Sequence, residues 1–258
     1  MTKHSFGLAV LASLAVCSGA RAEGWIFTLG AQVGVSPPYE GANRDILEPG
    51  PTFDLRPASA PERFTPPDGG TTVALLSNKY VEIGPVVRFR YERGDSGELQ
   101  GFDKIKWAAE PGLYMDLWPA SWLRLRVEGR KGVTGHIGWV GDAGLDLVYT
   151  GKRWDASIGP RFGWGDQRYM QTYFGVTPLE AARSPMISEA YAPDAGQRYT
   201  GLETAVSYHI TRRLHVVADV GYQRLVKTAA DSPIVRLAGS PDQYMSSVGF
   251  RYSFGRMP

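Results

Sequence analysis

The chain has 258 residues, of which 43% are hydrophobic and 12% aromatic, and its 28 basic and 26 acidic residues give a formal net charge of +2. This balance, with no cluster of basic residues, excludes nucleic acid as an expected partner. After the N-terminus no apolar run is long enough for a membrane-spanning helix, and the one cysteine, Cys17, excludes a disulfide framework.

The first 22 residues have the pattern of a cleaved secretory signal peptide. Lys3 precedes an apolar run from Phe6 to Cys17, and Ala20-Arg21-Ala22 supplies a small-residue cleavage site. A lipoprotein signal is the competing interpretation, but lipidation favours a small residue before the cysteine, and Val16 stands there. We therefore predict that residues 1–22 are removed and that residues 23–258 form one domain.

Alternation with period two, which is typical of a strand with two different faces, recurs through the mature chain. Residues 25–34 alternate cleanly. Residues 48–70 are rich in proline, which cannot donate to a ladder, so we expect no central strand there and at most a short one at 51–55. Further strands are predicted at residues 71–76, 81–91, 105–117, 122–130, 139–149, 154–164, 202–210, 214–225 and 244–254.

The three runs between residues 122 and 164 indicate a membrane barrel. In the first, Leu123, Leu125 and Val127 alternate with charged residues, and the next two runs repeat the pattern with aromatic residues near their ends. A soluble sandwich does not require aromatic residues at both ends, whereas a membrane barrel has lipid outside, a polar lumen and aromatic girdles at both interfaces. We predict an all-β fold, a transmembrane antiparallel up-and-down β-barrel of about ten strands, or twelve if the proline-rich stretch hides a hairpin.

Charges of both signs lie on the predicted inward faces. The candidate lumen charges are Arg124, Arg126, Glu128, Arg130, Asp142, Asp146, Arg161 and Asp219. A barrel of this size is narrow, since eight strands already enclose an interior filled by side chains. The first interpretation is therefore a lumen that holds little water and in which the charged side chains form ion pairs with one another. The alternative is a narrow pathway for small polar solutes.

The histidines do not form a recognisable catalytic pattern. His136, His209 and His215 remain after processing, and no G-x-S-x-G or H-E-x-x-H motif accompanies them. We expect these histidines to be hydrogen-bonded to neighbouring residues and to have no catalytic role. The chain is therefore predicted not to be an enzyme, with no catalytic residues, no metal site and no cofactor.

Residues 165–197 form the longest stretch without strand alternation. It combines aromatic residues with turn formers, and its candidate functional residues are Tyr169, Tyr173, Phe174, Gly175, Val176 and Thr177. Loops of this length are uncommon unless they have a function, so the segment is a candidate binding surface. The structural alternative is an ordered extracellular loop that folds back and plugs the barrel.

Several short motifs resemble those of the MipA/OmpV family of outer-membrane proteins. The most specific are Tyr173-Phe174-Gly175-Val176-Thr177 and Ala230-Asp231-Ser232-Pro233-Ile234-Val235. Tyr39-Glu40-Gly41, Gly84-Pro85 and Gly159-Pro160 are similar to the family as well. The resemblance covers essentially the whole mature chain. It departs from the family in the proline-rich stretch and in the four residues that follow Phe254.

The resemblance implies a scaffold in the cell outer membrane. The family of the MltA-interacting protein is taken to join a lytic transglycosylase to a bifunctional penicillin-binding protein, so these enzymes and outer-membrane lipid are the implied partners. The contact surface would then be periplasmic, at the tight turns around Pro119, Gly151 and Thr211 and at the chain termini. The alternative function is a narrow channel or receptor for small polar solutes.

Overall fold

The segments in which apolar and polar residues alternate form strands. The computed structural model describes residues 24–64 and 66–255, so the predicted signal peptide lies outside the described residues. The strands are β1 Trp25–Ser36, β2 Ile46–Pro57, β3 Thr71–Val73, β4 Leu76–Ser77, β5 Val81–Arg90, β6 Ala108–Ala120, β7 Leu123–Lys131, β8 Trp139–Thr150, β9 Trp154–Gly165, β10 Gly196–His209, β11 Leu214–Leu225 and β12 Asp242–Phe254. The helices are α1 Gln167–Phe174, α2 Pro178–Arg183, α3 Lys227–Ala230 and α4 Pro233–Ala238. No helix in the described ranges has the length and apolar character needed to cross a membrane.

The strands form one sheet that closes into a barrel. From β5 to β12 each strand pairs antiparallel with the next, β12 pairs with β1, and β1 pairs with β2. The ring closes through β3, which is parallel to β2 and antiparallel to β5. In the described chain, eleven strands therefore form the ring, and β4 adds a short pairing on β5. The predicted barrel is confirmed, and the sheet's twelve strands match the alternative count.

The expectation that the proline-rich stretch lacks a central strand is wrong. β2 runs through Pro49 and Pro51 and pairs with β1 in unbroken register. Successive strand residues direct their N–H and C=O groups to opposite neighbours. The Leu55 carbonyl accepts a hydrogen bond from the Ala74 N–H, so the odd-numbered residues of β2 face away from β1. Both prolines are odd-numbered and therefore remove no hydrogen bond from the β1–β2 ladder.

Residues 58–70, which connect β2 to β3, lie inside the barrel. β2 and β3 run parallel, so the chain must travel back along the barrel before β3 begins. On this path Phe64 is buried in a cluster with Trp118 and Val148, which lie near the ends of β6 and β8. We call residues 58–70, in which Thr65 is not described, the internal segment.

The two ends of the barrel differ in the length of their connections. The short connections are residues 78–80, 121–122, 151–153 and 210–213, and the long ones are residues 37–45, 91–107, 132–138, 166–195 and 226–241. Bacterial barrels have short periplasmic turns and longer extracellular loops. The end that contains Phe64 is therefore periplasmic.

The exterior of the barrel is apolar and has an aromatic girdle at each end. Exposed aromatic residues near the periplasmic turns are Trp25, Tyr80, Trp122 and Trp154, and those near the extracellular loops are Phe89, Trp107, Trp139, Trp164 and Tyr244. Leu113, Leu147 and Val220 are exposed between the girdles. The ring of paired strands satisfies most of its backbone groups internally, and this apolar exterior requires lipid around it. The chain is therefore an outer-membrane barrel, as the sequence predicts.

Candidate functional site

Two arginines on β7 lie in the lumen, and each contacts two carboxylates. Arg124 contacts Asp146 on β8 at 3.0 Å and Asp116 on β6 at 3.2 Å. Arg126 contacts Asp116 at 3.2 Å and Glu128 at 2.6 Å. Arg126 is paired with Asp116 in the β6–β7 register, and Arg124 with Asp146 in the β7–β8 register. Directly opposed residues on one face of a sheet are close enough to interact, so the strand register itself assembles these ion pairs.

A second layer of ion pairs lies nearer the extracellular mouth. Arg130 contacts Glu110 at 3.2 Å and Asp142 at 2.5 Å, and it also pairs with Glu128. Arg198 on β10 contacts Asp142 at 2.8 Å. The two layers together join β6, β7, β8 and β10 along one side of the lumen.

Glu40, in the first extracellular loop, connects this layer to the mouth of the barrel. It pairs with Arg198 and contacts Arg90 at 3.0 Å. Neither Glu40 nor Arg198 is among the lumen charges that the sequence predicts. Period two extended back from the outward Leu202 would place Arg198 on the outer face as well, and only the register shift between Gln197 and Tyr199 turns Arg198 into the lumen. Glu40 lies in a loop, where periodicity gives no signal.

The internal segment is held by the same network. Asp68 contacts Arg161 at 2.7 Å, and the Gly69 carbonyl accepts a hydrogen bond from Arg126 at 3.0 Å. Arg161 also contacts Asp146 at 2.8 Å. The segment therefore closes the lumen from the periplasmic end up to the central arginines.

The central ion pairs are buried, which sets their energetic role. The Arg124 side chain is 1% exposed, and those of Asp116 and Asp146 are 3% and 0% exposed. A buried ion pair gains little net stability, because desolvation offsets the attraction. Removing one partner leaves an uncompensated buried charge, which costs about 3–5 kcal/mol. The network therefore holds the lumen in one closed arrangement more than it adds stability.

All eight predicted lumen charges lie on the inner face of the barrel. Seven belong to the connected network, namely Arg124, Arg126, Glu128, Arg130, Asp142, Asp146 and Arg161. Asp219 lies apart from it on β11, where it accepts a hydrogen bond from the Ser247 hydroxyl and is hydrogen-bonded to Glu203.

The predicted functional loop covers the extracellular mouth. It contains the helices α1 and α2, although the sequence predicts an irregular loop in residues 165–197. The guanidinium groups of Arg90 and Arg198 lie 5.2 and 5.0 Å from the centre of the Tyr169 ring, within the range of cation–π attraction. The His136 ring packs edge-on against Tyr169 and Tyr173 at 5.1 and 5.5 Å. Burial raises the pKa of Tyr173 to about 12, so this phenol is neutral at physiological pH.

The two specific sequence motifs meet in this cover. The Ser232 hydroxyl donates a hydrogen bond to the Phe174 carbonyl at 2.6 Å, and its oxygen caps α4 by accepting from the Ile234 N–H at 3.3 Å. Pro233 occupies the first turn of α4. Phe174 packs in one buried cluster with Val235, and Val176 packs in a second cluster with Ile234. We call the two loops that contain these helices, residues 166–195 and 226–241, the cap.

A capping box fixes α2 within the cap. The Thr177 hydroxyl oxygen accepts from the Glu180 N–H at 3.2 Å, while the Glu180 carboxylate accepts from the Thr177 N–H at 2.9 Å. The Asp103 N–H also donates to Glu180, at 3.1 Å. Burial opposes ionisation of Glu180, but these backbone hydrogen bonds outweigh it and hold the pKa of the carboxyl below its usual range. Gly175 ends α1 at a close approach, since a Cβ there would lie 2.4 Å from the Gln171 carbonyl.

A polar cavity of about 280 Å³ remains beside the network. Its lining includes Gln32 and Ser36 on β1, Glu48 on β2, Arg88 on β5 and Asp219 on β11. Arg124 and Arg126 line it as well, so the cavity lies between β1, β2 and β11 on one side and the arginines of β7 on the other.

The histidines lie in separate places. His136 contacts Glu110 at 2.9 Å under the cap. His209 and His215 stack at 4.3 Å beside a periplasmic turn, and His209 contacts Asp155 at 2.7 Å. Within residues 24–64 and 66–255, no group of three or more histidine, cysteine or carboxylate side chains is placed to hold a metal ion.

The sequence model of the family described as "MltA-interacting protein MipA" matches residues 29–254. The chain belongs to the MipA family. The match spans both motifs of the cap and nearly the whole described barrel, and it confirms the family resemblance. No curated protein matches the chain at the level of sequence.

Solved structures similar to this MipA-family barrel are outer-membrane proteins. One is the COG4313 outer membrane channel from Pseudomonas putida F1, with 8% identity, a TM-score of 0.48, and coverage of 92% of this chain and 97% of the channel. The NanC porin has 8% identity and a TM-score of 0.40, with 88% and 98% of the two chains covered. The KdgM porin has 12% identity and a TM-score of 0.38, with 89% and 99% covered.

Proposed function

We propose that this MipA-family barrel is a docking protein of the outer membrane, which binds a peptidoglycan-remodelling enzyme on its periplasmic face. The family description names an interaction with MltA, and a lytic transglycosylase is accordingly the first partner we propose. A bifunctional penicillin-binding protein is the second. The chain itself is proposed to carry no catalytic activity.

The closed lumen is the observation that carries this proposal. The internal segment blocks the periplasmic half around Phe64, and the cap covers the extracellular mouth with Tyr169 and Tyr173. Between the two closures, Arg124 and Arg126 form ion pairs with carboxylates of β6, β7 and β8, and Arg126 also binds the Gly69 carbonyl of the internal segment. A barrel closed at both ends is better suited to presenting a surface than to conducting solutes.

The periplasmic turns offer a charged surface for such a partner. Three of these turns, residues 78–80, 151–153 and 210–213, carry basic side chains, and neither they nor residues 119–122 carry an acidic one. The exposed basic residues are Lys79, Lys152, Arg153, Arg212 and Arg213. Glu62, at the start of the internal segment, is an exposed acid at the same end. Complementary charge guides association and fixes the register of a complex. We therefore propose that the partner presents an acidic surface to these turns.

Crosslinking in intact outer membranes tests this proposal. We expect a peptidoglycan hydrolase or synthase to be recovered with the wild-type barrel, and its recovery to fall at least about tenfold in Lys152→Glu/Arg153→Glu/Arg212→Glu. The matched control reverses three exposed extracellular charges, Arg44→Glu/Lys106→Glu/Arg168→Glu, and should leave recovery unchanged. Equal recovery from both variants, or only lipopolysaccharide and other barrels attached to the wild type, would contradict the docking role.

The cavity is the specific observation in favour of the alternative, a channel or receptor for small polar solutes. Its lining is largely polar, and it lies beside the ion-pair network. In the described conformation the internal segment separates it from the periplasm, since Asp68 and Gly69 are bound to Arg161 and Arg126. The cavity can therefore hold a polar group but does not lead through the barrel.

A further inference from the structure

The barrel wall is incomplete between β2 and β5 in its extracellular half. β3 bridges these two strands, but its pairing with β2 covers only Asp54 and Leu55, and its pairing with β5 reaches only to Val87. Above this bridge, Ile46–Phe53 of β2 pair with β1 and have no strand on their other side among the described residues. These eight residues correspond to about 26 Å of strand edge at the usual rise per residue.

The sequence of β2 keeps this edge from pairing. The odd-numbered residues of β2 face away from β1, so the groups directed at the opening belong to Leu47, Pro49, Pro51 and Phe53. Two of these four residues are prolines and have no N–H to donate. Prolines on an edge prevent another strand from adding to it. An extended peptide is therefore disfavoured as an occupant of the opening.

Specific contacts bound the opening above and below. On the extracellular side Arg90 at the end of β5 contacts Glu40 at 3.0 Å, and Asn43 donates to Glu98 at 2.9 Å. On the periplasmic side the Thr72 hydroxyl donates to Asp54 at 3.2 Å. The opening is therefore a window in the wall with fixed limits. We call it the β2–β5 window.

The window combines an apolar outer rim with a polar interior. Leu47 and Phe89, on its two sides, point outward and are 68% and 67% exposed. Their neighbours Glu48 and Arg88 point inward, and both line the cavity. The cavity therefore touches both edges of the window. An occupant that fits must have one apolar part for the rim and one polar part for the interior.

The charge and size of the cavity indicate which polar head group the occupant of the window carries. Its lining carries seven acidic side chains, from Glu48, Asp68, Glu128, Asp142, Asp146, Glu203 and Asp219, against four arginines. Each of the four, Arg88, Arg124, Arg126 and Arg161, already contacts one of these carboxylates. Arg130 and Arg198 pair with Glu128 and Asp142 from outside the lining, so among the described residues the acidic groups left without an arginine contact are Glu48, Glu203 and Asp219. These three favour a cation on the β2, β10 and β11 side of the cavity. At about 280 Å³ the cavity is smaller than typical sites for whole ligands, which are roughly 300–1,000 Å³, so it suits a head group only.

We propose that the β2–β5 window is a lateral port, through which an amphipathic molecule places a primary-amine head group in the cavity while its apolar chain stays in the outer leaflet. The amine is stabilised by the carboxylates near Glu48 and Asp219. The chain lies against Leu47 and Phe89. The port is independent of the periplasmic docking surface, because it opens at the opposite end of the barrel.

Binding of dodecylamine to the refolded barrel tests the head-group chemistry. Native mass spectrometry from dodecyl maltoside should give one saturable dodecylamine adduct and no saturable adduct of dodecanol or dodecyl phosphate. Glu48→Gln/Asp219→Asn should weaken the dodecylamine adduct at least about tenfold. The control Glu82→Gln changes an inward carboxylate that does not line the cavity, and should bind as wild type does. Equal binding of the alcohol, or no saturable adduct with the amine, would overturn the proposal.

A tether across the window tests the route of entry. The mature chain as predicted has no cysteine, so Leu47→Cys/Phe89→Cys can be joined by a bifunctional maleimide. In lipid vesicles the tether should slow dodecylamine uptake at least about tenfold. The control pair Leu147→Cys/Ile158→Cys spans two paired strands of the closed wall and should not change the rate. Unchanged uptake with the window tethered would show entry through the aqueous mouth and overturn the lateral port. Heat-modifiable gel mobility confirms that each variant is folded.

Discussion

Replacing Arg124 with methionine is the sharpest test of the ion-pair network. The guanidinium lies between Asp116 and Asp146, and all three side chains are at most 3% exposed. Methionine keeps the apolar stem and removes the charge, so both carboxylates lose a buried partner. Asp116 keeps Arg126 at 3.2 Å and Asp146 keeps Arg161 at 2.8 Å, which limits the loss. We therefore expect a destabilisation at the lower end of the range for broken buried pairs, about 3 kcal/mol.

Reversible urea unfolding in lipid vesicles, followed by tryptophan fluorescence, measures this loss. Arg88→Met is the matched control, because its side chain is 30% exposed and its partner Glu128 keeps Arg126 and Arg130. We expect it to cost less than about 2 kcal/mol. The double variant Arg124→Met/Asp146→Asn should lose less than the sum of its single variants, since it removes the unpaired charge as well. A loss below about 1 kcal/mol for Arg124→Met, or equal losses for Arg124→Met and Arg88→Met, would refute the buried network.

Three further predictions concern the two closures. Phe64→Ala should destabilise the internal segment by up to about 3–5 kcal/mol, measured as faster hydrogen exchange in residues 58–70. Gly175→Ala should expose the cap to protease, because the new Cβ meets the Gln171 carbonyl at 2.4 Å, whereas Gly196→Ala enters open space and should not. Glu180→Ala should cost the cap about 0.5–2 kcal/mol of local stability. The lowered pKa of Glu180 contributes stability above the usual carboxyl value of 4.5 that is lost as pH falls further, so wild-type cap protection should decline in acid and that of Glu180→Gln should decline less.

Periodicity predicted the wall of the barrel because lipid and lumen impose opposite demands on alternate residues. This held for β7, β8 and β9, where charged residues face inward and aromatic residues lie at both ends. It failed for β2, because proline removes a donor only on one side of a strand, and the sequence does not tell which side pairs. Pro49 and Pro51 face the β2–β5 window, where the missing donors cost no ladder hydrogen bond.

The closures of the lumen depend on contacts between distant residues, which periodicity does not encode. Asp68 reaches Arg161 across 93 positions of sequence, and Ser232 reaches Phe174 across 58. The family motifs marked both halves of the cap, but only the structure brings them together. The internal segment had no motif. Its prolines predicted an irregular backbone but gave no indication that this backbone lies inside the barrel.

Single-channel recording in planar bilayers tests the central claim, a barrel closed at both ends that acts by docking. We expect no stepwise conductance from the wild-type barrel, because the internal segment and the ion pairs of Arg124 and Arg126 obstruct the lumen. Stepwise conductance in the wild type that changes in Arg124→Met or Asp146→Asn would contradict the account and establish the channel.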